Sequence, residues 1–392
     1  MYLRDESSSS TATTVQISVH SSISLDETIH DVKWIPSSAR FCVLGAHARG
    51  TGSLQVFELE NTHEESSSLS SSSSSSSPIS SRLNMKAKGK CEYVHPMKCG
   101  TFAGSDTIER EFFAGDFCGQ LLCWDMENLT RPTRVIKNAH ESIINSIDGC
   151  YNKLSKVIVT GSRDGSVKVW DVRCKHSEPI MNFPSSSAKV SECWSINVGN
   201  AKNDSEPMIL AGYSDGMVKM FDLRRGSGGE PALYWETNVS RGVCGVEFDR
   251  KAIEMNKFVV TCLESHSKVF DARTFNRKRG GFSSSVVTEV TENGPTIWGV
   301  KHSPFNRELS IFLGGDGTLS MHKYTYPKQR RLQLNEKECI GNVGQTHLLV
   351  ESKVSTQPIN AFDWNKDKEG LALCSSFDSR IRLLFITGMN KL

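Results

Sequence analysis

Short runs of apolar residues, alternating with polar ones or unbroken, recur along the chain between glycine, aspartate and asparagine. In the clearest set, residues 143–147 and 157–162 are two predicted strands. Asp164-Gly165 is a tight turn, and residues 166–172 are a third strand. Asp-Gly gives a turn whose twist matches that of an antiparallel hairpin. The pattern predicts an all-β chain of short antiparallel strands.

The end of this unit, Trp170-Asp171, returns elsewhere in the chain. Related endings are Trp124-Asp125, Phe221-Asp222 and Phe270-Asp271. Such an ending, repeated every 40–50 residues or so, is typical of four-stranded propeller blades. The template marks seven units, at residues 29–59, 94–126, 140–173, 193–224, 242–273, 297–324 and 359–387. We therefore predict an all-β, seven-bladed WD40 β-propeller.

The spacing from turn to strand end supports this alignment. The residue that ends the third strand falls six positions after the turn residue, as in Asp164 to Trp170, Asp215 to Phe221, Asp316 to His322 and Asp378 to Leu384. The last unit ends only a few residues before Leu392, which leaves little chain for an outer strand. Residues 15–19 alternate in polarity ahead of the first unit. We predict that this N-terminal strand closes the ring in the seventh blade.

Some segments do not fit the blade template. Residues 1–14 are a Ser-rich N-terminus, and residues 61–90 contain a nearly pure serine tract at 66–81. Neither segment can bury apolar area, so both are predicted to be disordered, and residues 15–392 otherwise form the propeller. The tract is a neutral spacer or, if phosphorylated, an acidic arm. Residues 329–348 are predicted to form a partly ordered excursion between the last two blades.

Charge and composition narrow the classes of function. The formal net charge is +2, so no global field draws the molecule onto nucleic acid or an anionic membrane. No run of 18 apolar residues occurs, and no signal peptide is expected. The twelve cysteines form no C-x-x-C pair and no zinc-ligand spacing. We expect a cytoplasmic protein with reduced thiols and without a metal or cofactor, in which Cys42, Cys123 and Cys374 fill strand interiors.

Four polar or aromatic residues of the third unit look like a buried hydrogen-bond chain. The Trp170 indole is predicted to donate to Ser162, Ser162 to His140, and His140 to Asp164. Such a chain fixes one geometry when every member is satisfied. A catalytic Ser/His/Asp interpretation uses the same residue types, but nothing resembles a nucleophile elbow. The sequence favours a structural role and no enzyme activity.

Residues 314–318 resemble a glycine-rich nucleotide loop. They fall where the sixth unit needs its hairpin turn, and no flanking α/β pattern accompanies them. We interpret them as that turn.

Three arginines follow a Trp/Phe-Asp-x-Arg pattern: Arg173, Arg224 and Arg273. One interpretation is an ion pair with an aspartate of the neighbouring blade. The other is a contact with a partner, because such arginines occur in substrate receptors of cullin-4 ubiquitin ligases.

Two clusters of basic residues also stand out. One contains Arg273, Arg277, Lys278 and Arg279, and the other contains Lys328, Arg330 and Arg331. Solvated loops, a surface for an acidic partner and RNA binding remain open, although no aromatic residues are interleaved for base stacking.

Several strings go beyond a generic propeller. They include Lys33-Trp34-Ile35-Pro36, Lys98-Cys99-Gly100-Thr101-Phe102, Trp235-Glu236-Thr237-Asn238 and Cys374-Ser375-Ser376-Phe377-Asp378. With these, residues 31–391 resemble a family of small WD-repeat proteins that act as dynein axonemal assembly factors. The serine tract and the Ser-rich N-terminus depart from the family pattern.

The resemblance implies a cytoplasmic, non-enzymatic co-chaperone subunit. Its partners would be a RuvB-like ATPase assembly with a tetratricopeptide adaptor, prefoldin-like subunits, the Hsp90 chaperone and axonemal dynein heavy chains. It would bind neither nucleic acid nor membrane, and would be a monomer within a larger complex. A role in apoptosis is also attached to the family. The alternative function is a substrate receptor of a cullin-4 ubiquitin ligase.

Overall fold

In the computed structural model of the protein, the described residues form seven four-stranded antiparallel sheets, which confirms the predicted seven-bladed propeller. The structure describes residues 14–62, 82–104, 110–151, 156–174, 178–185, 190–199, 208–223, 232–249, 257–276, 278, 280–286, 294–335 and 338–391.

Within a blade, the strands run from the central channel outwards. Blades 1 to 4 comprise β2 (Thr28–Trp34), β3 (Arg40–Ala46), β4 (Gly52–Thr62) and β5 (Arg82–Tyr93); β6 (Met97–Thr101), β7 (Glu111–Asp116), β8 (Leu121–Asp125) and β9 (Arg134–Ile136); β10 (Ile144–Tyr151), β11 (Lys156–Ser162), β12 (Val167–Asp171) and β13 (Met181–Phe183); and β14 (Cys193–Gly199), β15 (Met208–Tyr213), β16 (Met217–Asp222) and β17 (Ala232–Asn238).

Blades 5 to 7 follow the same order. They comprise β18 (Val243–Phe248), β19 (Lys257–Cys262), β20 (Ser267–Asp271) and β21 (Ser284–Val286); β22 (Ile297–His302), β23 (Leu309–Gly314), β24 (Thr318–Thr325) and β27 (Gln345–Lys353); and β28 (Ile359–Trp364), β29 (Leu371–Ser376), β30 (Arg380–Thr387) and β1 (Gln16–Ser24). A separate hairpin pairs β25 (Arg331–Asn335) with β26 (Glu338–Gly341), and short 3-10 turns cover Ala272–Thr274 and Met389–Lys391.

The apolar core is divided into layers that lie between neighbouring blades. The second strands are buried along their length, as β15 and β29 show, because they are covered on both faces. One layer joins blades 2 and 3 through Phe113 and Trp170, and another joins blades 4 and 5 through Trp235 and Phe258. Each blade therefore depends on both neighbours for its burial.

The ring is closed as predicted, by the N-terminal strand. β1 pairs with β30 in antiparallel register, from Gln16 opposite Thr387 to Ser24 opposite Arg380. The innermost strands β2 and β28 contact each other, so the first and last blades meet.

The prediction that residues 61–90 are disordered was wrong at both ends of this segment. Asn61 and Thr62 belong to β4, and residues 82–90 belong to β5, the outer strand of blade 1. The strand forms because Leu83 and Met85 alternate with polar residues and pack on the layer between blades 7 and 1. Residues 63–81 and 1–13 lie outside the described residues. The predicted excursion at 329–348 contains the β25–β26 hairpin and the start of β27.

Polar side chains link the innermost strands of neighbouring blades. Because each innermost strand has an edge facing the channel, its amides need partners from outside its own sheet. In five places, a backbone amide of one innermost strand donates to a side chain of a neighbouring one at 2.7–3.0 Å. The pairs are Trp34 with Asp363, Gly100 with Asp31, Val198 with Asp148, Phe248 with Asn197, and His302 with Glu247. These bonds fix the register between blades at the channel wall.

Candidate functional site

Blade 3 contains the predicted buried hydrogen-bond chain, but with a different middle member. The Trp170 indole donates to the Thr160 hydroxyl (2.9 Å), which lies 2.7 Å from Nε2 of His140. Nδ1 of His140 lies 3.0 Å from the Asp164 carboxylate. The Ser162 hydroxyl donates to the carbonyl of Ser142 at 3.3 Å and accepts from the Asp164 amide. The predicted link through Ser162 is therefore wrong.

Strand register explains the difference. Ile158 is opposite Trp170, and Thr160 is opposite Lys168. Thr160 is thus two residues along β11 from the residue opposite Trp170 and points to the same face as that residue. Ser162 points to the same face but lies about 6.6 Å further along the strand. Thr160 is the nearer hydroxyl.

Ser162, His140 and Asp164 do not have the geometry of a catalytic triad. His140 and Ser162 are buried, and the ring nitrogens of His140 are occupied by Thr160, Asp164 and Ser166. Burial opposes the ionisation of Asp164, but hydrogen bonds from His140 and Ser166 outweigh it and hold its pKa well below the usual range. Asp164 is thus an ionised anchor for the chain, and Ser162 does not contact the histidine.

Blade 2 offers a natural comparison. Trp124 is equivalent to Trp170, but its buried indole N–H has no hydrogen-bond partner among the described residues. Phe112 lies opposite Trp124, so the residue at the position of Thr160 is Ala114, which has no hydroxyl. The buried chain is complete in blade 3 and broken in blade 2.

This contrast makes a prediction about stability. Trp170→Phe should lower the free energy of unfolding by roughly 1.5–3 kcal/mol, because it breaks a satisfied buried bond as well as removing packing. Trp124→Phe should cost about 1 kcal/mol less, because it removes an unsatisfied donor. Urea unfolding measures both values. In a Thr160→Val background, the difference between the two substitutions should disappear, and its persistence would contradict the assignment.

Buried histidines should make stability fall at acid pH. Burial lowers the pKa of His30 and of His322 to about 4, and it also lowers the pKa of His140. Since these pKa values lie below the unfolded value, the unfolded chain binds more protons as the pH drops below about 6.5. Between pH 7.5 and 5.5, His30 and His322 should each reduce the free energy of unfolding by roughly 1.3 kcal/mol.

His322→Phe tests this pH dependence by urea unfolding at the two pH values. Phe270 occupies the equivalent position in blade 5, so the substitution suits the fold. In the variant, the drop in the free energy of unfolding between pH 7.5 and 5.5 should be smaller by the contribution assigned to His322. A drop as large as that of the wild type would refute the assignment to His322.

The arginines of the Trp/Phe-Asp-x-Arg pattern pair within their own blade. Arg173 contacts Asp171 at 2.5 Å, and Arg273 contacts Asp271 at 2.6 Å. The expected pairing with a neighbouring blade's aspartate was therefore wrong for both. The Arg173 side chain is 53% exposed, whereas the Arg273 guanidinium lies 4.9 Å from the centre of the Tyr326 ring. Arg224 lies outside the described residues.

A buried ion cluster joins blades 5 and 6. Nζ of Lys257 lies 3.4 Å from Asp249 and donates to the carbonyl of Arg307 at 2.6 Å. The Arg307 guanidinium contacts the same carboxylate at 2.6 Å. The Tyr324 and Tyr326 rings lie 5.4 and 5.6 Å from Nζ. Burial lowers the pKa of Lys257, and the Asp249 carboxylate opposes that shift.

An arc of exposed apolar side chains lies where the second strands of blades 5 to 7 end. Leu263, Trp298 and Phe377 are 38%, 41% and 39% exposed. The Trp298 and Phe377 rings meet edge to face at 5.8 Å, and Thr296 donates to the Leu263 carbonyl. Partly exposed Trp194 extends the arc. We call Trp194, Leu263, Trp298 and Phe377 the aromatic arc.

The packing of the arc depends on Gly242. A Cβ atom there would lie 2.6 Å from Leu263 and 3.0 Å from the Trp194 ring, so the glycine lets the two side chains approach. Sequence reasoning missed the arc. Aligning the innermost strands would have revealed it, because Trp194 and Trp298 share a position that holds His30 and Lys98 in blades 1 and 2.

The glycine-rich segment and the cysteines have structural places in the fold. Asp316 accepts from the Thr318 amide and Gly317 has φ +87°, so residues 314–318 form the predicted hairpin turn. All twelve cysteines are unpaired, and Cys42, Cys123 and Cys374 are buried in strands as predicted. Over the described ranges, no group of three or more His, Cys, Asp or Glu side chains is placed to hold a metal ion. Nor do those ranges contain a helix long and apolar enough to cross a membrane.

Comparison with known proteins agrees with this geometry. A family model for the WD domain, G-beta repeat, matches residues 131–171, which contain the blade 3 chain. The protein is thus a WD-repeat β-propeller.

Three relatives refine the class. The chain is 42% identical over 381 residues to dynein axonemal assembly factor 10 of Chlamydomonas reinhardtii, covering 96% of this chain and 98% of the relative. It is 41% identical over 382 residues to the Homo sapiens protein of that name, with the same coverage. The Dictyostelium discoideum protein is 25% identical over 377 residues, which is 91% of each chain. The chain belongs to the dynein axonemal assembly factor 10 family.

Proposed function

We propose that the protein is a non-enzymatic scaffold in the cytoplasmic pre-assembly and stabilisation of axonemal dynein heavy chains. The observation that carries this proposal is the sequence identity of 42% and 41% to two proteins named dynein axonemal assembly factor 10, over 96% of the chain. The same proposal includes action with a RuvB-like ATPase assembly and its tetratricopeptide adaptor, prefoldin-like subunits and Hsp90. The chain would act there as a monomer.

The ring supplies a physical basis for such a role. Each blade is packed on two neighbours and the ring is closed by β1, so the surface loops are held on a rigid frame. The aromatic arc places two tryptophans and a phenylalanine at one edge of this frame. Trp is enriched among residues that dominate binding energy, and contiguous exposed apolar patches mark interaction sites. We propose that a protein of the assembly pathway binds at the arc.

Affinity purification from a native cytosolic lysate, read by mass spectrometry, tests the proposal. The wild-type chain should recover RuvB-like ATPases, prefoldin-like subunits and dynein heavy chains. Trp298→Ala with Phe377→Ala should reduce recovery of the arc-binding partner at least about 10-fold, the size expected when two interface anchors are lost. The control is Val19→Ala with Leu348→Ala, two exposed residues on outer strands. Equal recovery by both double variants would contradict binding at the arc.

A second candidate function is that of a cullin-4 ubiquitin ligase receptor, which the exposure of Arg173 favours. Asp171 holds the guanidinium in place, so its accessible face is pre-oriented for a partner. Arg173→Ala with Arg224→Ala should then abolish recovery of cullin-4 and its propeller adaptor while the melting temperature stays unchanged. Arg273→Ala is a poorer probe because Tyr326 covers its side chain. Normal adaptor recovery by the double variant would refute this alternative.

A further inference from the structure

The β25–β26 hairpin brings the second basic cluster close to Arg273 and Lys278, the described members of the first cluster. The Gly341 backbone packs against blade 5, where a Cβ atom on Gly341 would lie 2.5 Å from Thr274. The Ser283 hydroxyl donates to the Gly341 carbonyl at 3.0 Å. Thr274 and Ser283 flank the loop that carries Lys278, so the end of the hairpin lies against the base of that loop.

The second cluster is fixed to the same place. The Asn342 amide donates to the Arg330 carbonyl, and its side chain donates to the Gln329 carbonyl, both at 2.9 Å. Residues 328–331 are therefore held beside Gly341. The loop of Lys278 is closed by paired bonds between Asn276 and Gly281.

The cations of this region are exposed, and within the described ranges they lie apart from carboxylates. Lys278, Lys328, Arg330 and Arg331, which we call the basic patch, are exposed. Among the described residues, none of the four has a carboxylate within ion-pair distance. Other surface arginines of the ring do have one, including Arg40 with Glu127, Arg49 with Glu92 and Arg163 with Glu192.

The hairpin is also an addition to the ring. β24 pairs directly with β27, so blade 6 has its four strands without β25 and β26. The hairpin follows the end of β24, whereas the aromatic arc lies where β23 ends and β24 begins. The basic patch and the arc therefore lie at opposite ends of the strands, and one partner need not exclude the other.

We propose that the basic patch is a docking site for an acidic segment of a protein partner. Local positive charge on a nearly neutral chain attracts an oppositely charged segment to one place on the surface. RNA fits less well. The aromatic rings beside the patch already have partners. Phe275 stacks on Tyr234 and packs against Phe282, Tyr324 is buried, and Tyr326 contacts Arg273 and Lys257, so these rings are not presented as a platform for bases.

The test uses the purified full chain and a fluorescein-labelled twelve-residue peptide of repeated Glu-Glu-Leu-Asp, read by fluorescence anisotropy. Binding should weaken at least about 5-fold between 50 and 200 mM salt, because exposed charges are screened. Lys328→Glu with Arg330→Glu and Arg331→Glu should weaken it at least about 10-fold. A control that reverses Arg131, Lys137 and Lys366 to Glu makes the same change in net charge at scattered exposed sites, and should stay within about 2-fold of wild type.

Thermal unfolding of each variant shows that the fold is intact. No binding by the wild type, or equal losses in both triple variants, would overturn the proposal. A labelled twelve-nucleotide single-stranded RNA is the second probe. Tighter binding of this RNA than of the peptide, with loss only in the patch variant, would replace the acidic protein segment with nucleic acid.

Discussion

Deleting residues 1–24 will leave a chain that does not form a stable ring. The deletion removes β1 and exposes the ladder edge of β30 along its length. It also removes Val15 and Ile17, which are buried in the layer between blades 6 and 7. Domain stability is only about 5–15 kcal/mol in total, so an open edge and a lost strand consume most of it. We expect little soluble protein and no cooperative thermal transition.

Two controls separate ring closure from chain length. A chain lacking only residues 1–13 should keep the wild-type melting temperature. A chain that starts at Leu25, keeps its own C-terminal residues and carries residues 15–24 behind them on a short Gly-Ser linker should recover it, because Val15, Ile17 and Met389 are then all present. This connection is geometrically direct because Gln16 already lies opposite Thr387. Wild-type melting of the 1–24 deletion would contradict closure by β1.

Asp249→Ala will lower the free energy of unfolding by about 3–5 kcal/mol, the usual cost of leaving a buried ion pair without one partner. Asp249 is fully buried and forms ion pairs with Lys257 and Arg307. Its loss leaves these two cations close together between blades 5 and 6. Urea unfolding measures the loss.

Lys257→Met should cost clearly less, because Arg307 still pairs with Asp249 and the methionine fills the space of the lysine stem. Combining it with Asp249→Ala should recover part of the loss. Arg49→Ala, which breaks an exposed pair with Glu92, is the control and should leave the free energy of unfolding unchanged. Equal losses for Asp249→Ala and Arg49→Ala would contradict the assigned role of the cluster.

The blades and their closure were predictable because their signals are local. The six-residue step from Asp164 to Trp170 is a property of one hairpin, and it survives at Asp316 and His322 even where the Trp-Asp ending is lost. β5 was not predicted because its alternation of apolar and polar residues, which begins at Leu83, follows directly after the serine tract.

The errors and omissions came from register and from long-range contacts. Thr160 replaces Ser162 in the buried chain because of which residues of β11 and β12 face each other. The ion cluster joins Lys257 to Arg307, which belong to different blades. The sequence around either residue does not indicate this contact. The first feature follows from the register of one hairpin, and the second follows from the contact between two neighbouring blades.

The most direct test of a scaffold for dynein heavy chains is their steady-state abundance in ciliated cells. The cell's own dynein axonemal assembly factor 10 relative would be removed and this chain supplied in its place. Quantitative mass spectrometry of the cytoplasmic fraction would then compare wild type, the Trp298→Ala/Phe377→Ala variant and the Val19→Ala/Leu348→Ala control. We expect heavy-chain abundance to fall on removal and to return with the wild type and the control, but not with the arc variant. Heavy chains that stay soluble and abundant in the absence of any such protein would contradict it.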